Sequence, residues 1–250
     1  MRGREAREEG MELDVRELRP GLWRWTATHP EWVPGKDKPG GWGRMVGSVS
    51  LEPADPAAPL ILFDPLAPAD GTPESDRFWK ALDRDVARRG RPVAILLANN
   101  FHERSAGRVL DRYRRDPGAE VWAHADAVPR LEVAVDHTFR ETASLPGGVT
   151  AHPIPGLERS ETIYHIGAHA ALVAADALIG AGGGRVRVPP PWWAEDTPEG
   201  AARYRDELRP SLRRLLELPI ERILVSHGEP VLAGGAAALR EALDSPPWGE

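Results

Sequence analysis

The sequence contains no cysteine. That absence excludes disulfides, cysteine nucleophiles, thiolate zinc sites and iron–sulfur clusters, so any metal would have to be held by His, Asp or Glu. Basic charge is not in excess either: 32 Lys and Arg stand against 38 Asp and Glu, a formal net charge of -6, with no long basic run. Such a balance argues against nucleic acid or an anionic membrane surface as a partner. The longest apolar stretch, around 166–181, is broken by His169, Asp176 and several glycines and does not read as a membrane span. The first ten residues, MRGREAREEG, are densely charged and lack the apolar segment of a signal peptide. Residues 1–10 therefore read as a disordered tail or the product of an upstream start codon, and the cytoplasm as the default compartment. No Gly-x-Gly-x-x-Gly follows a strand, and neither a P-loop nor the Gly-x-Ser-x-Gly of a nucleophile elbow occurs.

What is present is a chain of 250 residues, 41% apolar, with 25 Gly and 25 Pro to punctuate it. That is enough for one large core. Short β-type runs come first, at 12–18, 22–27, 44–52 and 60–64, with a Pro/Gly/Trp-rich loop at 29–43. Thr72-Pro73-Glu74 supplies a cap, a first-turn proline and an early acid for a helix whose Phe78, Trp79, Leu82 and Val86 share a face. PVAILLA (92–98) is unbroken apolar sequence, as in a strand buried on both faces. A helix at 105–114, a strand at 120–124 and further strands between 148 and 178 follow. A long helix over 198–218 should be kinked at Pro210; a buried strand at 220–226 and a helix at 233–243 close the pattern. Sheet and helix in both halves predict two sheets packed face to face with helices outside.

Functional residues of layered α/β folds gather at strand C-termini. Three candidates stand there: His102 just past the 92–98 strand, Asp176 after AALVAA, and His227 after ILVS. Two imidazoles and a carboxylate make a divalent-metal set. The plainer reading is that they are satisfied polar groups ending strands. Ser105 or Ser226 beside a histidine is a further, weaker possibility for a nucleophile.

Five segments, in order, carry a resemblance. They are Leu60 to Asp64 (LILFD), PVAILLANNFHERSAG (92–107), VTAHPIPGL (149–157), ALVAADALI (171–179) and RILVSHGEPV (222–231). Together they resemble the metallo-β-lactamase fold superfamily over most of 12–243. The resemblance implies a single αββα-sandwich domain at 11–250 and a one- or two-metal edge site, usually zinc or iron, that hydrolyses through metal-activated hydroxide.

Carried over residue by residue, the resemblance also implies a degenerate site. Of the His-x-His-x-Asp-His positions, Asn100 replaces the first histidine, His102 is kept, Arg104 replaces the aspartate and Ser105 the third histidine. Leu157 replaces the histidine after Pro-Gly, while Asp176 and His227 are kept. The first expectation is thus a metal-free scaffold with little or no hydrolase activity, binding a small molecule or protein in the old cleft and needing no cofactor. The alternative is a mononuclear hydrolase of an ester, thioester or lactone, holding one zinc, iron or manganese through His102, Asp176 and His227. Arg104 cannot ligate a cation and is expected either to pair with Asp176 in place of a metal or to face solvent. Glu103, His124 and His152 are possible helpers, although a cap or packing role suits His124 better. Trp23, Trp25, Trp32 and Trp42, with 182–193 as a second lip, lie in regions that would border the cleft.

Overall fold

The computed structural model describes residues 13–35, 42–158 and 160–247. The tail at 1–10, residue 11 and the first residue of the β-type run expected at 12–18 fall outside them.

Seven strands form the first sheet in spatial order β1 to β7: Leu13–Arg19, Leu22–Thr28, Met45–Leu51, Leu60–Phe63, Val93–Leu97, Ala119–His124 and His137–Phe139. The second sheet has the order β14-β11-β10-β9-β8, from Arg222–Val225, Ala171–Ala174, Thr162–Ile166, Val149–Pro153 and Ala143–Leu145. Strands β12 (Ile179–Gly182) and β13 (Arg185–Arg187) make a small separate hairpin. β4 and β5 pair in parallel, as do β11 and β14, and all four are buried along their whole length. That accounts for their unalternated sequence, apolar but for Arg222 at the start of β14.

Helix α1 (Pro73–Arg89) starts as its sequence demands. Thr72 Oγ1 accepts the N–H of Ser75, Glu74 and Asp76 sit in the first turn, and Arg88 and Arg89 close the last. With α2 (Ala106–Tyr113) it covers the outer face of the first sheet through Phe78, Leu82, Val86, Val109 and Leu110. Helices α3 (Pro198–Arg203), α4 (Arg209–Arg214) and α5 (Gly235–Asp244) lie on the second sheet's side, where Leu212 and Leu239 pack with Leu172 and Ile223. Between the sheets lie Val49, Phe63, Leu96, Tyr164, Val173 and Leu224, and the Tyr164 hydroxyl donates to the Leu97 carbonyl at 2.7 Å. Three apolar layers separate four structural ones, the αββα sandwich expected.

The expected helix at 198–218 is interrupted. Proline 210 has no N–H to complete the preceding turn, and residues Tyr204–Leu208 widen into a π turn between α3 and α4. The strand expected to continue to 178 ends at Ala174, releasing Asp176 into a loop. β7 and β8, three residues each, are too short to show a period and were not anticipated. Among the described residues no helix is long and apolar enough to cross a membrane.

Candidate metal centre

Strand β3 stitches the two sheets together at one edge. Val46 bridges to His227, and the Gly47 N–H donates to the Ser226 carbonyl at 2.7 Å. Above this seam opens a cleft of about 1080 Å³, with His102, Asp176 and His227 among its lining. The C-terminal ends of β4, β5, β11 and β14 converge there, so side chains distant in sequence share one floor.

Each floor residue is held by its own local device. β5 runs into a 3₁₀ turn, Asn100–His102, capped by Asn99 Oδ1 accepting from the Phe101 N–H at 2.9 Å. That turn aims His102 inward, where Nδ1 meets Asp64 Oδ2 at 3.0 Å and Nε2 meets Asp176 Oδ1 at 3.3 Å. Asp64, itself left-handed at φ 46°, takes the Ala98 N–H on its other oxygen at 2.8 Å. His227 Nε2 approaches the same Asp176 Oδ1 at 3.1 Å. Its successor Gly228, at φ 83°, must be glycine: a Cβ would come within 2.3 Å of the Gly180 carbonyl oxygen. The rings of Trp42 and Trp193 pack beside His227, with centroids 6.2 and 5.8 Å away.

Asp176 is fixed from behind by two residues that sequence reasoning missed. Asn99 Nδ2 donates to Asp176 Oδ2 at 2.9 Å and to Glu161 Oε2 at 2.7 Å, clamping the carboxylates together. Glu161 Oε1 accepts the N–H groups of Asp176 and Ala177 at 3.1 and 2.9 Å. The signal for Glu161 was a carboxylate immediately before a wholly buried strand, a position that demands partners.

Charge follows from this geometry. Burial and the Arg104 charge oppose protonation of His102, but the carboxylates of Asp176 and Asp64 outweigh them and push it up to about 9. Burial lowers His227. Burial alone would raise Asp176, yet His102 and His227 hold it well below the usual carboxylate range. Burial, with Asp176 alongside, pushes Glu161 up to about 8.

A raised histidine gives stability that is full below its unfolded value near 6.5 and is lost as pH rises through 9. Chelator-treated protein should therefore lose on the order of 3 kcal/mol from this group between pH 6 and pH 9.5. Urea titrations at both pH values would check it. A shallower profile in His102→Gln is the matching control, because Glu161, pushed up to about 8, also costs stability as pH rises over this range; an equally steep one would remove His102 as the source.

The donor set fits one divalent ion. His102, Asp176 and His227 each offer one donor atom, and the three donor atoms lie within 4.8 Å of one another. A tetrahedral ion about 2.0–2.1 Å from its donors sets them roughly 3.3 Å apart, which the 3.1 and 3.3 Å separations match. Asp64 on His102 Nδ1 is the outer carboxylate that commonly orients a ligating imidazole. The set does not fit a second ion. Leu157 is buried apolar lining, and Ser105 Oγ is occupied in accepting the Ala67 N–H at 3.0 Å. Asn100 Oδ1 accepts from the Ser160 hydroxyl at 2.9 Å.

The expected Arg104–Asp176 ion pair does not form, nor does Arg104 simply face solvent. Its Nη1 donates to the carbonyls of Gly47 and Asp64 at 2.8 and 3.1 Å. The left-handed backbone of Arg104, at φ 48°, turns the side chain toward β3 and β4 rather than toward the Asp176 loop. His102 takes the place beside Asp176 instead.

The remaining candidates scatter. Glu103 lines the cleft but uses its carboxylate on the Glu132 and Val133 N–H groups. His124 stays local, accepting from the Asp126 N–H and facing the Arg140 carbonyl, and His152 lies beside His165 on the second sheet. Neither lines the cleft. Ser226 is buried at the seam. Trp32, Trp42 and Trp193 border the cleft, whereas Trp25 packs on Phe78 and donates to the Leu66 carbonyl.

No protein-family model matches the sequence, and no curated protein does. The fold, however, is similar to many solved structures. A metallo-β-lactamase from Hirschia baltica superposes with a TM-score of 0.61 at 15% identity, covering 93% of this chain and 96% of that one. The DIM-1 metallo-β-lactamase gives 0.62 at 13% identity, with the same coverage. FIM-1 from Pseudomonas aeruginosa, a metallo-β-lactamase in its mono-zinc form, gives 0.59 at 14%, covering 94% and 96%.

Proposed function

On the premise that this chain has the metallo-β-lactamase fold, we propose that it is a mononuclear metal-dependent hydrolase acting on an ester, thioester or lactone. The observation that carries this reading is the convergence of His102, Asp176 and His227 on the floor of an open cleft. A divalent ion held by those three would supply a water whose pKa lies near neutrality. The chain's own residues do the rest. Asp64 keeps the His102 Nδ1 proton, leaving Nε2 as the donor atom. Asn99 and Glu161 immobilise Asp176, and Gly228 permits the sharp turn that presents His227. Arg104 cannot ligate a cation and donates instead to the Gly47 and Asp64 carbonyls, so it offers nothing to hold a second ion.

One observation favours a second reading, a metal-free scaffold that binds a small ligand. His102 stands between two carboxylates, so an imidazolium satisfies both without an ion. Metal analysis separates the two. After expression with zinc, iron and manganese and purification without chelators, the hydrolase reading expects one equivalent of metal per chain. Two equivalents, or none, count against it, and none leaves the scaffold.

A further inference from the structure

Each carbonyl from Val225 to Gly228, the segment that presents His227, is held by a donor from another part of the chain. The Gly47 N–H donates to the Ser226 carbonyl at 2.7 Å, and the Gly180 N–H to the His227 carbonyl at 2.8 Å. The outer two share one nitrogen: Arg24 Nη2 donates to the Val225 and Gly228 carbonyls, at 3.2 Å each. Arg24 lies on β2, 201 and 204 positions away from them.

The route of this side chain accounts for Gly47. Thr26 pairs with Gly47 across β2 and β3, so Arg24, two positions along on the same face, passes diagonally over the glycine. A Cβ at position 47 would stand 2.6 Å from Arg24 Nη2 and 2.8 Å from the Val225 carbonyl oxygen. Glycine leaves that path open. Holding a charge there costs free energy: burial pushes the guanidinium down to about 10 although Asp14 opposes the shift, and Nε is buried with no hydrogen-bond partner. The sheets are already joined at this edge by the Val46–His227 bridge and the Gly47–Ser226 bond. What Arg24 adds is a bracket, one nitrogen on the carbonyls before Ser226 and after His227. Between those two points the imidazole meets Asp176 Oδ1 at 3.1 Å.

We propose that Arg24 is a positioning residue for His227. By holding the Val225 and Gly228 carbonyls, its Nη2 fixes where His227 Nε2 stands relative to Asp176 and His102, and so sets the affinity of the site for a divalent ion. The effect on affinity rests on reading His227 as a metal ligand, whereas the effect on the placement of the ring does not.

Arg24→Met keeps the apolar stem and removes the donors. Zinc competition on the full-length protein is expected to show affinity weaker by about tenfold or more. Arg24→Lys, which keeps one charged nitrogen to share between the two carbonyls, is expected to stay within about threefold of the unaltered protein. Heteronuclear spectra of the chelator-treated proteins give a readout without metal. The His227 ring resonances should move in Arg24→Met and return in Arg24→Lys, while those of His137 on β7 stay still. Unmoved His227 resonances or unchanged zinc affinity in Arg24→Met overturn the assignment, as does a loss in Arg24→Lys equal to that in Arg24→Met. If the unaltered protein binds no zinc, the metal reading fails, and the ring resonances alone decide for or against Arg24. Should Arg24→Met not fold, His227→Ala carries the test in reverse. The Arg24 Nε–H resonance must then move while that of Arg112, bonded to Asp83, does not, and a still Arg24 signal overturns the proposal.

Discussion

Asp176→Asn should cut bound metal from one equivalent to less than about a tenth and lower kcat/KM for any hydrolysed ester by roughly a thousandfold or more. The reason lies in a single oxygen. Asp176 Oδ1 is 3.3 Å from His102 Nε2 and 3.1 Å from His227 Nε2, so it is the one donor adjacent to both others. Asparagine keeps the shape and still reaches Asn99, but it brings no negative charge to balance a dication. The two histidines alone would then face an ion across a buried floor that also holds the charge of Arg104. Metal analysis and a panel of aryl esters, thioesters and lactones read the result. A variant that keeps its full equivalent of metal would place the ion elsewhere and end the His102–Asp176–His227 assignment.

Asp64→Ala is expected to be the costliest single change for stability near the site, at about 3–5 kcal/mol. Asp64 is 3% exposed and makes two bonds at once, to the Ala98 N–H at 2.8 Å and to His102 Nδ1 at 3.0 Å. Removing it leaves a buried donor unpaired at the end of β5 and frees the imidazole to rotate. Metal affinity should fall by 10- to 100-fold in consequence, the usual effect of losing an outer carboxylate on a ligating histidine. Denaturant titration of the chelator-treated variant measures the first effect, and zinc competition the second. Wild-type stability with weakened metal binding would show that Asp64 only orients His102. Intact affinity with lowered stability would show that it only closes the end of β5.

The fold was legible wherever local pattern and tertiary demand coincide. LILF and VAILL are apolar throughout because parallel neighbours and both flanking layers bury them. Thr72-Pro73-Glu74 announces a helix because cap, proline and early acid act within one turn. His102, Asp176 and His227 stood out as candidates for a similar reason, since each lies a few residues past the end of a buried strand. Where the pattern is short or unusual, reading failed. The three-residue strands β7 and β8 have no period to detect, and the effect of Pro210 was foreseen as a kink but not as a widened turn.

By itself, the sequence determined the exclusion of thiolate chemistry, the order of the longer elements, the layered fold and the residue types at Asn100, Arg104, Ser105 and Leu157. Side-chain type and short-range periodicity decide those matters, and both are written along the chain. Only the tertiary structure decided whether the surviving residues meet, what Arg104 does, and who holds Asp176. Those outcomes depend on contacts between residues far apart in sequence: Asn99 and Asp176 are 77 positions apart, Asn99 and Glu161 62, and Arg104 and Gly47 57. No local rule specifies such distances. They follow from how two twisted sheets come together at one edge, where the left-handed backbones at Asp64 and Arg104 turn one side chain toward the histidine and the other away from the aspartate.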